Sequence, residues 1–243
     1  MYNWNWSVLW SPSADGSASY LGTLGYGLLW TLLVGLSAWC IALVVGTVVG
    51  VARTRPTGAV ASIADAYVEV LRSIPLIVQM FLWFYVAPDL LPESSASAVK
   101  AWDRYNVVAA IVCLALYTSA RIAEQVRAGI QSLPSGQGNA AKALGMEIVQ
   151  SYRYVLLPVA FRRIIPALTN EFVNIIKNTS VAFTIAVVEL MAATRSMQET
   201  TFQPFEAFTA ATIIYLTVNL TVVKLMGAIE RATSIPGYGS TKN

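Results

Sequence analysis

From Tyr20 to Ala52 the chain carries no charged side chain, and the stretch ends at Arg53 and Arg55 with Pro56 just beyond. A membrane-spanning helix needs about 20 predominantly apolar residues, whereas a helix on a soluble protein is interrupted by polar residues every turn. Four further blocks follow the first. They run from about Ile63 to Val86, closed by Pro88; from about Asn106 to Ile130; from about Ile164 to Ala193; and from about Phe208 to Ile229. The fourth is irregular, with Pro166 near its start and a polar interruption at Asn178, Thr179 and Ser180. Only 12% of the residues are charged and 56% are hydrophobic, against roughly 25% charged in a soluble domain, so lipid is the expected solvent. The fold class this predicts is an all-α membrane protein with about five transmembrane helices.

The same composition excludes several kinds of chemistry. A net charge of +3 is too small to point to nucleic acid. Cys40 and Cys113 both lie inside apolar blocks and read as small hydrophobes, with no disulfide or redox role. The absence of histidine removes the usual zinc ligands and imidazole acid–base catalysis, so no metal and no catalytic residue is expected. The N-terminus has no basic region before Arg53, which argues against a cleaved signal peptide. Trp4, Trp6 and Trp10 instead look like interfacial anchors.

Basic residues set the orientation. Arg53 and Arg55 follow the first block; Lys142, Arg153, Arg162 and Arg163 lie between the third and fourth; Arg231 and Lys242 follow the fifth. With five helices all three regions fall on one side, the cytoplasmic one. The N-terminus is then periplasmic and the C-terminus cytoplasmic. Residues 1–19 form a periplasmic or interfacial segment, 20–231 the transmembrane domain, and 232–243 a cytoplasmic tail containing Pro236, Gly237 and Gly239. The external segment from Asp89 to Tyr105 is short and polar.

The cytoplasmic segment 132–161 is long for a simple connection. It is also helix-forming: Gly145 breaks it into two short helices, and Pro158 is expected to end the second. From structure alone it reads either as an amphipathic connector on the headgroups or as a docking element for a partner. Its residues resemble a known pattern. Asn139-Ala140-Ala141-x-x-x-Gly145, then nine residues, then Val155-x-Leu157-Pro158, has the spacing of the EAA loop of ABC importer permeases, with Asn139 in place of Glu and Val155 in place of Ile. Three other strings resemble the polar amino acid branch of that family. They are Tyr67-Val-Glu69-Val-Leu-Arg72-Ser-Ile-Pro75-Leu-Ile-Val-Gln79, the run from Glu124 through Pro134 to Gln137, and Lys177-Asn-Thr-Ser180. The Trp-Asn-Trp start, the Asn139 variant and the Glu230-Arg231 ending with Pro236-Gly237 are most similar to the glutamate/aspartate import permeases.

The resemblance implies the ABC type I importer permease fold in a bacterial inner membrane. It implies four kinds of partner: a second permease subunit or another copy of this chain, an ATP-binding-cassette ATPase dimer, a periplasmic solute-binding protein and the lipid membrane. Within the loop it implies ATPase coupling by Asn139, Ala140, Ala141, Gly145, Met146, Ile148, Tyr152, Leu157 and Pro158, with Val149 adding apolar contact. The chain has no G-x-x-x-x-G-K-[ST], so ATP and magnesium belong to the partner ATPase and this chain binds no cofactor of its own. Gly25-x-Gly27 and Gly237-x-Gly239 read as turn or packing positions.

Ionisable residues at membrane depth usually face a cavity or a partner. Asp65, Glu69 and Arg72 share one helix face, as do Arg121, Glu124 and Arg127 on the next helix. Both sets read as neighbouring pairs that cancel charge and brace helix ends. On the fourth block, Asn170, Asn174 and Lys177 share a face, with Glu171 and Asn178 beside them. These side chains suit either a subunit interface or the two ends of an amino acid. Arg72 and Lys177 are the expected attractors of a substrate carboxylate, and Asn174 and Glu171 of the ammonium. Gly46-x-x-x-Gly50 predicts a close helix contact, and Lys224 is placed to snorkel. A gradient-driven transporter and a non-transport scaffold remain as alternatives, although neither explains the 139–158 string.

Overall fold

The computed structural model describes residues 2–14, 16, 18–55 and 57–233. Expectations for Pro56, Pro236, Gly237, Gly239 and Lys242 lie outside the described residues.

The described chain is helical apart from short connections. Helix α1 is Tyr20–Ala52, α2 is Ala59–Ser73 and α3 is Leu76–Phe81, followed by a wide π turn at Leu82–Val86. Then come α4 (Glu93–Lys100), α5 (Tyr105–Gln131), α6 (Ser135–Ala143), α7 (Ile148–Ser151), α8 (Leu157–Asn178), α9 (Leu190–Thr201) and α10 (Pro204–Thr233). Three of these, α1, α5 and α10, are long and apolar enough to cross a membrane alone. Two bent helix pairs raise the number to as many as five when each is one span: Ala59–Ser73 with Leu76–Leu90, bent by 105°, and Ile148–Ile185 with Leu190–Thr201, bent by 54°.

The second expected span is therefore broken near its middle. Pro75 disfavours helical geometry at Ile74 and starts a new helix, its carbonyl accepting from the amides of Val78 and Gln79. Gln79 Nε2 donates to the Ile74 carbonyl at 3.0 Å, which satisfies a backbone acceptor that the break leaves open. The fourth expected span breaks where its polar residues lie. α8 stops at Asn178, and a 3-10 turn covers Thr179–Ile185. Thr179, Ser180 and Thr184 each donate a hydroxyl to the carbonyl three residues earlier. Residues 194–201, which lie between the fourth and fifth expected blocks, are helical because Glu189 caps a new helix there, accepting from the amides of Met191 and Ala192. The polar segment after Pro88 also contains a helix, α4, with Lys100 paired to Asp89.

Contacts divide the chain into two compact units. One comprises Met1–Cys40, Ile74–Ala115 and Asn174–Leu220. Its core gathers Leu24, Leu190, Met197 and Ala207 around Val8 and Tyr20. Gly27 lies against the Leu190 backbone, so a side chain there would stand 2.9 Å from its Cα. The N-terminal segment is tied to the start of α10: Tyr2 Oη and the Asn5 amide both donate to the buried Glu206 carboxylate. Trp4 stacks on Trp6 and packs against Phe205.

The other unit comprises Ile41–Ser73, Leu116–Val173 and Thr221–Asn243. Here Gly46 and Gly50 bring α1 against α5. A Cβ on either would stand 2.7 Å from a backbone carbonyl, of Ser119 and Ala123 respectively. This is the close contact the spacing predicts, and in lipid such backbone approach is a main source of helix association. Val68, Ala120 and Ala123 form the adjoining core with Val49, Tyr67 and Leu71. The apolar stretch of α10, in contrast, is almost entirely unburied by this chain, with Ile213, Leu216, Leu220 and Leu225 all exposed.

Candidate functional site

The segment 132–161 folds as a helix, a sharp reversal and a second helix. Gly145 sits at φ +74°, in the left-handed region that penalises residues with a Cβ. Its amide donates to Lys142 O at 2.9 Å, and the Met146 amide donates to Ala141 O at 3.1 Å. These two bonds make a Schellman motif that closes the C-terminus of α6. The chain restarts at Glu147, whose side chain and that of Gln150 cap each other's backbone amides. Ala141 is buried under the reversal, while Asn139 and Ala140 face outward.

Past the reversal the apolar side chains are uncovered. Leu144, Ile148 and Val149 are 78%, 70% and 73% exposed, and Tyr154 is exposed as well. Leu144 and Tyr154 were not among the expected contacts. Met146 is only half-buried. Tyr152 is turned inward, its hydroxyl 2.7 Å from Thr54 Oγ1 at the end of α1.

Pro158 does not end the second helix, contrary to expectation. Ile148 to Asn178 is helical throughout, and a π turn at Tyr152–Leu156 precedes the proline. The wide turn, in which the Leu157 amide reaches back to Tyr152 O, absorbs the donor that Pro158 lacks and the clash its ring would cause. Leu157 and Pro158 are thus the first residues of α8, and the loop runs directly into a spanning segment.

Beside the loop lies a charged cluster centred on Arg53. Its side chain is only 8% exposed. Arg53 Nη1 donates to Glu124 Oε2 at 2.6 Å, and Nε donates to Asp65 Oδ1 at 2.7 Å. Arg72 Nη1 reaches the same Glu124 oxygen at 3.4 Å. Burial opposes the charge on Arg53, but its hydrogen bonds to Glu124 and then Asp65 outweigh that effect and raise its pKa. Sequence spacing had suggested neighbouring pairs within α2 and within α5. The structure pairs charges between α2, α5 and the end of α1 instead, through a residue that the sequence marked only as an orientation signal. Arg53, Asp65, Glu69, Arg72 and Arg127 line a cleft of about 620 Å³.

The remaining expected residues divide. Glu171 is buried, and Arg121 Nε donates to it at 2.7 Å, so its carboxylate is already engaged. Asn170 and Lys177 are exposed, and Asn174 and Asn178 are half-buried. One acid escaped sequence reading altogether. Glu189 is fully buried and accepts from Met191, Ala192, Thr31 and Tyr215. Its only sequence signal was a carboxylate just ahead of a helix-forming run. Among the described residues no group of three His, Cys, Asp or Glu side chains is placed to hold a metal.

Residues 42–235 match the family described as binding-protein-dependent transport system inner membrane component. The chain is 40% identical over 238 residues to the glutamate/aspartate import permease protein GltJ of Escherichia coli O6:H1 (strain CFT073), covering 97% of each chain. It is 32% identical over 235 residues to the glutamate/aspartate import permease protein GltK of the same strain, covering 96% of this chain and 100% of that one. Among solved structures, an amino acid ABC transporter with histidines superposes with a TM-score of 0.74 at 30% identity, over 88% of this chain and 95% of that one.

Proposed function

The chain belongs to the inner membrane components of binding-protein-dependent transport systems and is a multi-pass permease subunit of an ABC amino acid importer; from that premise we propose that it carries an acidic amino acid, glutamate or aspartate, into the cell. In this family ATP hydrolysis belongs to a separate subunit. A gradient-driven transporter and a passive scaffold are both set aside by the assignment. The observation that carries the substrate is the 40% identity, sustained over 97% of both chains, to a glutamate/aspartate permease.

Each bent pair is taken as one span, with the N-terminus outside and segment 132–161 in the cytoplasm; the grouping of the basic residues on that side supports this arrangement. The partner ATPase then docks on Leu144, Ile148, Val149 and Tyr154, an apolar face that this chain leaves exposed. Its motion enters α8 through the continuous helix that begins at Ile148. A second permease of the same family completes the pathway, since one strain holds two different relatives of this chain. An external binding protein delivers the solute. Along the pathway, Lys177 and Arg72 attract the substrate carboxylates, with Asn170, Asn174 and Asn178 as neutral hydrogen-bonding groups. Glu171 is bound to Arg121 and serves to hold it.

Uptake competition in vesicles containing the reconstituted complex tests the substrate. Excess glutamate and aspartate are expected to suppress labelled glutamate uptake, and glutamine, arginine and histidine to leave it unchanged. Suppression by arginine or histidine as strong as that by glutamate would refute an acidic substrate.

A further inference from the structure

Before Gly145 the loop 132–161 is joined to its unit through α5 and by Arg163, which donates to Ser132; past Gly145 two further connections bear on its motion. One is covalent, the run from α7 through the π turn into α8. The other is a side-chain contact between Tyr152 and Thr54. Thr54 Oγ1 spends its own proton on the Val51 carbonyl at 2.6 Å, so the Tyr152 hydroxyl is the donor in the 2.7 Å bond between them. The bond lands one residue from Arg53. Arg53 in turn holds Asp65 of α2 and Glu124 of α5, and Glu124 also meets Arg72. One hydroxyl therefore joins the loop to a buried cation that bridges the end of α1, α2 and α5.

We propose that the Tyr152–Thr54 hydrogen bond is a second coupling tether, which transmits displacement of the loop to the Arg53 ion cluster and so to the cleft lined by Arg72. The physical argument concerns which links yield first. The π turn is a soft joint, because its i to i−5 bonding is looser than the α-helical ladder on either side. Displacement entering at Ile148 and Val149 is partly absorbed there before it reaches α8. Tyr152 lies ahead of that joint, at its first residue, so the tether takes up displacement before the joint can absorb it. Beyond the tether, both links from Arg53 are charge-assisted and short, 2.6 and 2.7 Å, and are stronger than a bond between neutral hydroxyls. A pull on Thr54 accordingly moves α1, α2 and α5 together at this end. Tyr152 and Thr54 are positioning residues that touch no solute.

The tether rests on the reading of 132–161 as the ATPase docking segment, and the experiment separates the two. The full complex with its ATPase and binding protein is reconstituted, and solute imported per ATP hydrolysed is measured with Tyr152→Phe, Thr54→Val and the double variant. Each single variant is expected to lower the ratio about fivefold, the effect of one neutral hydrogen bond, with ATPase still bound in wild-type stoichiometry. The double variant should fall no further, since both changes remove the same bond. An unchanged ratio in both single variants overturns the tether, as does a double variant whose loss is the product of the two. Ile148→Asp checks the docking reading by itself: ATPase that no longer co-purifies supports it. Normal assembly and uptake in that variant would overturn docking and the tether with it.

Discussion

Gly145 allows the backbone argument to be tested without interference from packing. A Cβ built at this position would meet nothing within 4 Å, so a substitution there costs only what the left-handed backbone costs. For an ordinary L-residue that is roughly 1–2 kcal/mol, while asparagine tolerates the region far better. Gly145→Ala should therefore weaken the reversal by roughly five- to thirtyfold in population, and Gly145→Asn by only a few tenths of a kcal/mol. Gly145→Val should be worst, because a β-branched residue fits that region least well. The two amides that close the motif report this directly, since residue 145 donates to Lys142 and Met146 to Ala141. Hydrogen exchange of the segment 141–147, followed by mass spectrometry on the purified protein, should accelerate in the order Gly, Asn, Ala, Val. Global thermal stability should barely move, because the opening is local. Asparagine has the larger side chain, so steric crowding would put it behind alanine. That ranking, or equal exchange in all four proteins, would refute the backbone account.

Three further outcomes follow from the same kind of geometry. Gly46→Leu or Gly50→Leu forces a side chain against a backbone carbonyl 2.7 Å away and should cost about 1–3 kcal/mol, read as a lowered Tm in detergent; Gly25→Ala, where nothing lies within 4 Å, should lower it not at all. Glu189→Ala strips four donors of their acceptor and should destabilise by about 3 kcal/mol, whereas Glu189→Gln keeps one acceptor oxygen, able to receive Met191, Thr31 and Tyr215 while its NH2 leaves the Ala192 amide unpaired, and should cost about 1–2 kcal/mol, both measured by thermal or denaturant unfolding. Arg121→Ala leaves the Glu171 carboxylate buried without its cation and should cost about 2 kcal/mol, less than for a fully buried pair because Arg121 is 40% exposed. Adding Glu171→Gln to Arg121→Ala should recover much of the lost Tm; a double variant less stable than the single one would show that the ion pair is not the cause.

Much of the architecture was legible because lipid imposes a simple constraint. α1, Tyr20–Ala52, and α5, Tyr105–Gln131, match the expected blocks to within a residue, since an apolar run between charges has no other stable state in a bilayer. The loop reversal at Gly145 and the contact at Gly46 and Gly50 were legible for a related reason: each needs a residue without a side chain. What hydropathy could not show is direction. The bend at Pro75 and the restart at Leu190 both lie inside segments apolar enough to read as single spans. The ion partners were also out of reach. Arg53, Asp65 and Glu124 are distant in sequence and meet only because α1, α2 and α5 converge. Tyr152 looked like one more apolar contact, and only coordinates show its hydroxyl turned to Thr54.

The Glu189 carboxylate also has a history in time. Thr31 precedes it by 158 residues and Tyr215 follows it by 26. At about 5–20 residues per second, synthesis separates Thr31 from Glu189 by roughly ten to thirty seconds. Throughout that interval the first helix is already made and lacks its latest partner. A ribosome that stalls between residues 189 and 215 leaves an acid short of one of its donors. The donor set of this buried acid is therefore complete only once Tyr215 has been made, late in synthesis of the chain.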